Sequence, residues 1–153
     1  MRVRRWVPPL SLVLAALGIA VSSYLTIAHL TTPTVLACSA AGTINCEKVT
    51  TSAQSTWLGI PVAMLGLGWF LAMAVLCLPA PWRSLSPIWH ASRLIAAIAG
   101  IAFTLWLVYA ELFIIGAICL WCTVAHLLAF GLFVVAVVTA LAMLSAPEQE
   151  DGT

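Results

Sequence analysis

Residues 118–144 read ICLWCTVAHLLAFGLFVVAVVTALAML and contain no Asp, Glu, Lys or Arg. At 27 residues the run exceeds the roughly 20 that carry a helix across about 30 Å of hydrocarbon. A backbone inside lipid must satisfy its own polar groups, which makes the run a helix. Outward from it, three more apolar stretches of comparable character can be read, at about residues 7–30, 60–78 and 93–115. Proline punctuates the breaks, at Pro33, at Pro79, Pro81 and Pro87, and at Pro147. Pro61 suits the opening turn of the second helix, where a missing N–H is harmless.

The composition agrees. Of 153 residues, 63% are hydrophobic and 7% charged, against about 25% charged in soluble domains. Mean hydropathy is +1.13. The formal charge is +1 and no basic patch is present, which excludes a nucleic-acid binder along with a soluble enzyme and a disordered chain. The expectation is an all-α integral membrane protein: one four-transmembrane-helix bundle over 1–153, with no internal repeat and a long loop, about 31–59, between the first two helices.

Arg2, Arg4 and Arg5 before an apolar run also resemble a signal peptide, but the run is long for one and three spans follow. With Arg83 and Arg93 near the link between the second and third helices, five of the six cations fall on one side, and only Lys48 lies elsewhere. The positive-inside rule puts that side in the cytoplasm. Both termini then face inward, and the long loop and a tight turn near Gly116 face outward.

Four of the five cysteines share the outward side, where disulfides persist. Cys38 and Cys46 lie in the loop. Cys119-Leu120-Trp121-Cys122 opens the last helix, and Cys77 stands alone at the inward end of the second. The loop pair also reads as a structural staple, and the second pair as small apolar packing. Together they read better as a redox device. Amide dipoles at a helix N-terminus favour a thiolate on the first cysteine, and positions i and i+3 bring both sulfurs onto one face. A zinc site would call for a second close pair or histidines, so no metal is expected. Two pairs on one face of a membrane suggest thiol–disulfide relay. With no haem-attachment or nucleotide-binding motif present, a lipid-soluble quinone is the acceptor such a bundle can reach.

These residues resemble the vitamin K epoxide reductase family in its bacterial branch. The resemblance rests on Ala37-Cys38, the run from Gly42 through Cys46 to Val49, Ser52, Leu58-Gly59-Ile60-Pro61, Ser23-Tyr24-Leu25 and the late CxxC, and it covers essentially the whole chain. It implies a four-helix bundle around a quinone, menaquinone or ubiquinone, with the loop acting partly as a lid. It also implies a bacterial inner-membrane enzyme that oxidises a thioredoxin-fold partner. By the same resemblance, Cys38 exchanges with the partner, Cys46 attacks Cys119, and Cys122 lies beside the quinone. Ser52 and Ser55 match polar positions near the quinone, and His126 stands where animal members carry a tyrosine. Some relatives carry a fused thioredoxin-like domain; none is read here, so a separate partner is expected.

The residues add candidates of their own. His126 follows Cys122 by one turn and can face the same interior, and Glu111 is an ionisable group at membrane depth, a proton-relay candidate. Trp57 with Leu58, and Trp69, Trp106 and Trp121, can wall a quinone pocket. Trp6, Trp82 and Trp89 suit the membrane interface, and Cys77 suits packing. The resulting expectation is a thiol–quinone oxidoreductase supporting disulfide formation. Its rivals are reduction of vitamin K epoxide itself and a disulfide-stapled membrane scaffold. The other four-helix quinone-linked family, disulfide bond formation protein B, carries its cysteine pairs in the reverse order.

Overall fold

The computed structural model describes residues 6–31, 38, 42–83 and 86–144. Expectations resting on Arg2, Arg4, Arg5, Pro33, Ala37, Pro147, the acidic tail (Glu148, Glu150, Asp151) and the Arg83 side chain lie outside the described residues. Among the described residues the fold is helical apart from one short hairpin and a single parallel bridge between Ile44 and Ile118. Helix α1 (Val7–Leu30) is followed by the five-residue α2 (Cys46–Thr50), a 3-10 turn at Ala53–Ser55, and strands β1 (Thr56–Trp57) and β2 (Ile60–Pro61). Then come α3 (Val62–Leu76), α4 (Pro79–Arg83), α5 (Pro87–Tyr109) with a π-helical continuation at Ala110–Ile115, and α6 (Leu120–Leu144).

Among the described residues, three helical segments are long and apolar enough to cross a membrane: Val7–Leu30, Pro87–Ile115 and Leu120–Met143. Helix α3 is equally apolar but only 15 residues long. Its start differs from expectation. Pro61 lies not in the first helical turn but in β2, extended at φ −56 and ψ 130 and paired with Thr56. Helix α5 starts at Pro87 rather than near Arg93, because Pro87 is pre-set for the first turn and Ser86 before it is extended. The π-helical run ends at Gly116, whose φ of 63 a side chain would disfavour.

The helices form a ring in which α1 packs on α3 and α6, and α5 packs on α6 and α3. Lipid tails are as apolar as leucine, so close packing rather than water exclusion holds such a ring together. Small residues permit the contact. The Phe70 ring lies where a side chain at Gly18 would be, and the Trp69 ring covers Gly100 in the same way. Trp69 also donates its indole N–H to the Ala96 carbonyl of α5 at 2.9 Å. Met73, Ala97, Leu132 and Ala15 fill the centre. Buried hydroxyls turn back on their own helix, as with Ser11 on the Val7 carbonyl at 2.9 Å and Thr26 on Ser22 at 2.7 Å.

At the C-terminal end of α3, Arg93, counted above among the inward cations, is drawn into the protein. It is 2% exposed. Its guanidinium donates twice to the Leu76 carbonyl, at 2.7 and 3.2 Å, and lies 3.5 Å over the Trp82 ring. Trp82 is buried beneath it and donates its N–H to the Cys77 carbonyl at 3.1 Å. The physical reason is local: α3 ends with carbonyls that need donors, and an arginine on the neighbouring helix supplies them. Cys77 is buried beside them.

Candidate functional site

The opposite end of the bundle carries the chemistry. Asn45 caps α2 by accepting the Lys48 N–H at 2.9 Å. Just before it, residues 43–45 are stitched to the segment ahead of α6. Ile118 N–H donates to the Thr43 carbonyl at 2.9 Å, and Asn45 N–H donates to the Ile118 carbonyl at 3.1 Å. This parallel bridge delivers Cys46, the first residue of α2, to Cys119, the residue before α6. Both pairs lie in one apolar cluster with Leu25, Val49 and Ala117.

Cys38 and Cys46 form a disulfide with Cα atoms 6.0 Å apart, while Cys119 and Cys122 are free thiols. The two loop sulfurs are not equally exposed. Cys46 is 2% exposed within the cluster and Cys38 is half-buried, so Cys38 is the more accessible sulfur of the pair.

Cys119 is 0% exposed and stands in the N-cap position of α6. Its sulfur accepts the Cys122 N–H at 3.3 Å, as a serine or aspartate cap would. The Cys122 thiol, and after it the backbone N–H groups, hold the Cys119 thiol below the usual range despite its burial. A lowered pKa keeps the thiolate present to lower pH. Thiolate ultraviolet absorbance of the reduced protein, less that of Cys119→Ser, should therefore appear at lower pH than for an ordinary cysteine. In Cys122→Ala it should move to higher pH. An unmoved titration in Cys122→Ala would contradict the contribution of the Cys122 thiol, since the backbone N–H cap survives that substitution.

Cys122 opens onto a cavity of about 520 Å³ bounded by α1, α3, α5, α6 and residues between Val49 and Trp57. Its walls are mainly apolar, as a quinone head group requires. Ser52, Ser55, Trp57, Glu111 and His126 all line it. Leu58 does not. It occupies the tip of the β1–β2 hairpin at φ 51, followed by Gly59 at φ 81, and is 91% exposed. Positive φ at both central residues matches the right-handed twist of a two-residue hairpin, and that turn aims Leu58 away. Trp69 and Trp57 line the cavity, and Trp57 meets Phe103 edge-on at 5.9 Å. Trp106 instead stacks on Tyr109 at 5.9 Å on the outside, and Trp121 packs on Tyr24 at 4.9 Å.

Glu111 is 6% exposed, so it does not simply reach water. It sits in the π-helical run, and its carboxyl accepts the Cys119 N–H. Such runs widen a helix by one residue and often occur at working sites. Several polar cavity residues were not singled out from sequence, among them His29, Thr50, Gln54 and Thr104. His29 donates its Nδ1–H to the Thr50 carbonyl at 3.1 Å, tying α1 to α2. The only sequence sign of this was a polar residue in an otherwise apolar setting. Among the described residues no cluster of His, Cys, Asp and Glu is placed to hold a metal ion.

A bundle of apolar helices with a disulfide held beside a pair of free thiols at one end is the arrangement that a membrane oxidoreductase working through thiols requires. A sequence profile of the vitamin K epoxide reductase family matches residues 9–137. The chain belongs to that family, whose members are oxidoreductases with a quinone as electron partner.

Proposed function

We propose that this protein is a thiol:quinone oxidoreductase that takes electrons from a separate thioredoxin-fold protein and passes them to menaquinone or ubiquinone, supporting disulfide formation. One observation carries the reading: the Cys38–Cys46 disulfide abuts the Cys119/Cys122 dithiol, and Cys122 borders the apolar cavity. A partner thiolate attacks Cys38, and the partner's second thiol resolves the mixed disulfide, leaving Cys38 and Cys46 reduced. Cys46 then attacks an oxidised Cys119–Cys122 bond at Cys119, releasing Cys122. Cys38 next attacks Cys46, which restores the loop disulfide and frees Cys119. This is the arrangement in the structure. Finally the Cys119–Cys122 bond forms as two electrons and two protons pass to the quinone, giving quinol.

Glu111, which lines the cavity and whose carboxyl accepts the Cys119 backbone N–H, relays a proton from thiol to quinone oxygen. His126, one turn beyond Cys122, and Ser52, Ser55 and Trp57 shape the head-group site. Helix α3 is the fourth span of a single domain. It packs in the ring with the three longer helices, its outer end replaced by the hairpin and its inner end closed by Arg93. The cysteine pairs then face outward from a bacterial inner membrane and both termini face the cytoplasm, in keeping with the arginine distribution.

The test mixes detergent-solubilised protein with a reduced thioredoxin-fold dithiol and a short-tail ubiquinone, and follows quinone reduction. Turnover is expected, and vitamin K epoxide offered in its place should turn over more slowly. In Cys38→Ser the resolving thiol is missing, so a Cys46–Cys119 disulfide should accumulate in peptide maps. Absence of turnover, or of that bridge, rejects the relay.

A further inference from the structure

The cavity needs hydrogen-bond donors for the quinone carbonyls, and most of the hydroxyls offered by the lid, residues 46–61, are committed elsewhere. Thr50 Oγ1 donates to the Cys46 carbonyl at 2.9 Å, Ser52 Oγ to Val49 at 2.7 Å, and Ser55 Oγ to Ser52 at 2.7 Å. A hydroxyl has one proton, so these three can accept from a cavity occupant but not donate to it. A quinone's carbonyl oxygens only accept. Gln54 stands between the serines in the 3-10 turn and lines the same cavity. Among the described residues its side-chain amide makes no hydrogen bond, which leaves two N–H donors.

We propose that Gln54 is a quinone-contacting residue whose side-chain amide donates to a carbonyl oxygen of the head group from the lid side of the cavity that Cys122 also lines. This rests on the thiol:quinone reading above and adds a residue to it. The contact grows with the reaction. As electrons arrive the quinone oxygen gains negative charge, and a hydrogen bond to a charged acceptor is stronger than one to a neutral carbonyl. Gln54 therefore favours the reacting state over mere binding, and its loss should lower kcat as well as raise KM. The committed serine hydroxyls keep a separate duty. By holding the carbonyls of Val49 and Ser52, they fix the turn that presents Gln54.

The experiment compares the protein with Gln54→Met, an apolar side chain of similar length, and Gln54→Asn, which keeps the amide on a shorter stem. With short-tail ubiquinone as the probe, kcat/KM for quinone should fall about tenfold to a hundredfold in Gln54→Met. Gln54→Asn should recover part of that loss. Exchange of the Cys38–Cys46 disulfide with a reduced dithiol, run without quinone, should stay within twofold and shows that the lid is intact. The infrared carbonyl band of bound ubiquinone should lie lower in the unaltered protein than in Gln54→Met, a shift that a purely structural residue would not produce. Unchanged kinetics and an unchanged band, in a protein that does reduce quinone, overturn the Gln54 assignment alone. No quinone reduction by the unaltered protein overturns the thiol:quinone reading and the assignment with it.

Discussion

Cys122→Ser slows quinone reduction at least about a thousandfold, because the step that delivers electrons is the formation of the Cys119–Cys122 bond and an oxygen cannot take the place of a sulfur in it. The loss is confined to that step. Cys38 and Cys46 remain bonded and lie in the same apolar cluster, so a reduced dithiol still opens the loop disulfide once per molecule. The electrons then stop there, since Cys46 finds no disulfide at Cys119. Rapid mixing with reduced partner should therefore show one equivalent of partner oxidised and no quinol formed. Serine is close to cysteine in size, and the Cys122 N–H that bonds the Cys119 sulfur belongs to the backbone, so the cap persists. Steady turnover within tenfold of the unaltered protein would place the electron exit somewhere other than Cys122.

Arg93→Met has its effect at the other end of the bundle and on stability rather than chemistry. Methionine keeps the apolar stem but removes the guanidinium, and with it both donors to the Leu76 carbonyl and the cation on the Trp82 face. A buried carbonyl left without its donors costs about 1–3 kcal/mol, and the lost ring contact about 1 more. A total near 3 kcal/mol lowers the unfolding midpoint by roughly 6–12 °C for a chain of this size. Arg93→Lys should fall between, because one ammonium cannot reproduce the planar fork. Thermal unfolding in detergent with a thiol-reactive dye on Cys77 reads the change, since Cys77 becomes accessible as α3 frays. Quinone reduction at low temperature should survive, as Arg93 does not line the cavity. An unchanged midpoint would mean that water supplies the Leu76 carbonyl equally well.

Much of the fold was legible because hydropathy is additive along the chain. Residues 118–144 could be read as a helix without reference to anything else, and α1 and the later part of α5 likewise. The readings that needed correction depend on neighbours. Arg93 counted only as an inward cation until a helix end without donors was placed beside it. Trp82, Trp106 and Trp57 are chemically alike, yet they became a cover for a guanidinium, an outer stack and a cavity wall. Leu58 shares a motif with Trp57, but two residues of positive φ turn it outward. Gln54 gave little sign of itself in the sequence, because its claim rests on what Thr50, Ser52 and Ser55 have already bonded.

The cysteines divide along the same line. Their types, order and spacing are properties of the chain, and by themselves they indicate two redox pairs and a bystander in a membrane bundle. Which loop sulfur is the more accessible, which is sealed, and which sulfur borders the cavity are not. These depend on two backbone hydrogen bonds joining residues 43–45 to Ile118, and on a sulfur serving as the N-cap of α6. Membrane insertion is settled by the summed transfer of apolar side chains, which the sequence alone determines. The relay depends on separations of a few ångströms between segments distant in the chain, and only the tertiary packing decides those.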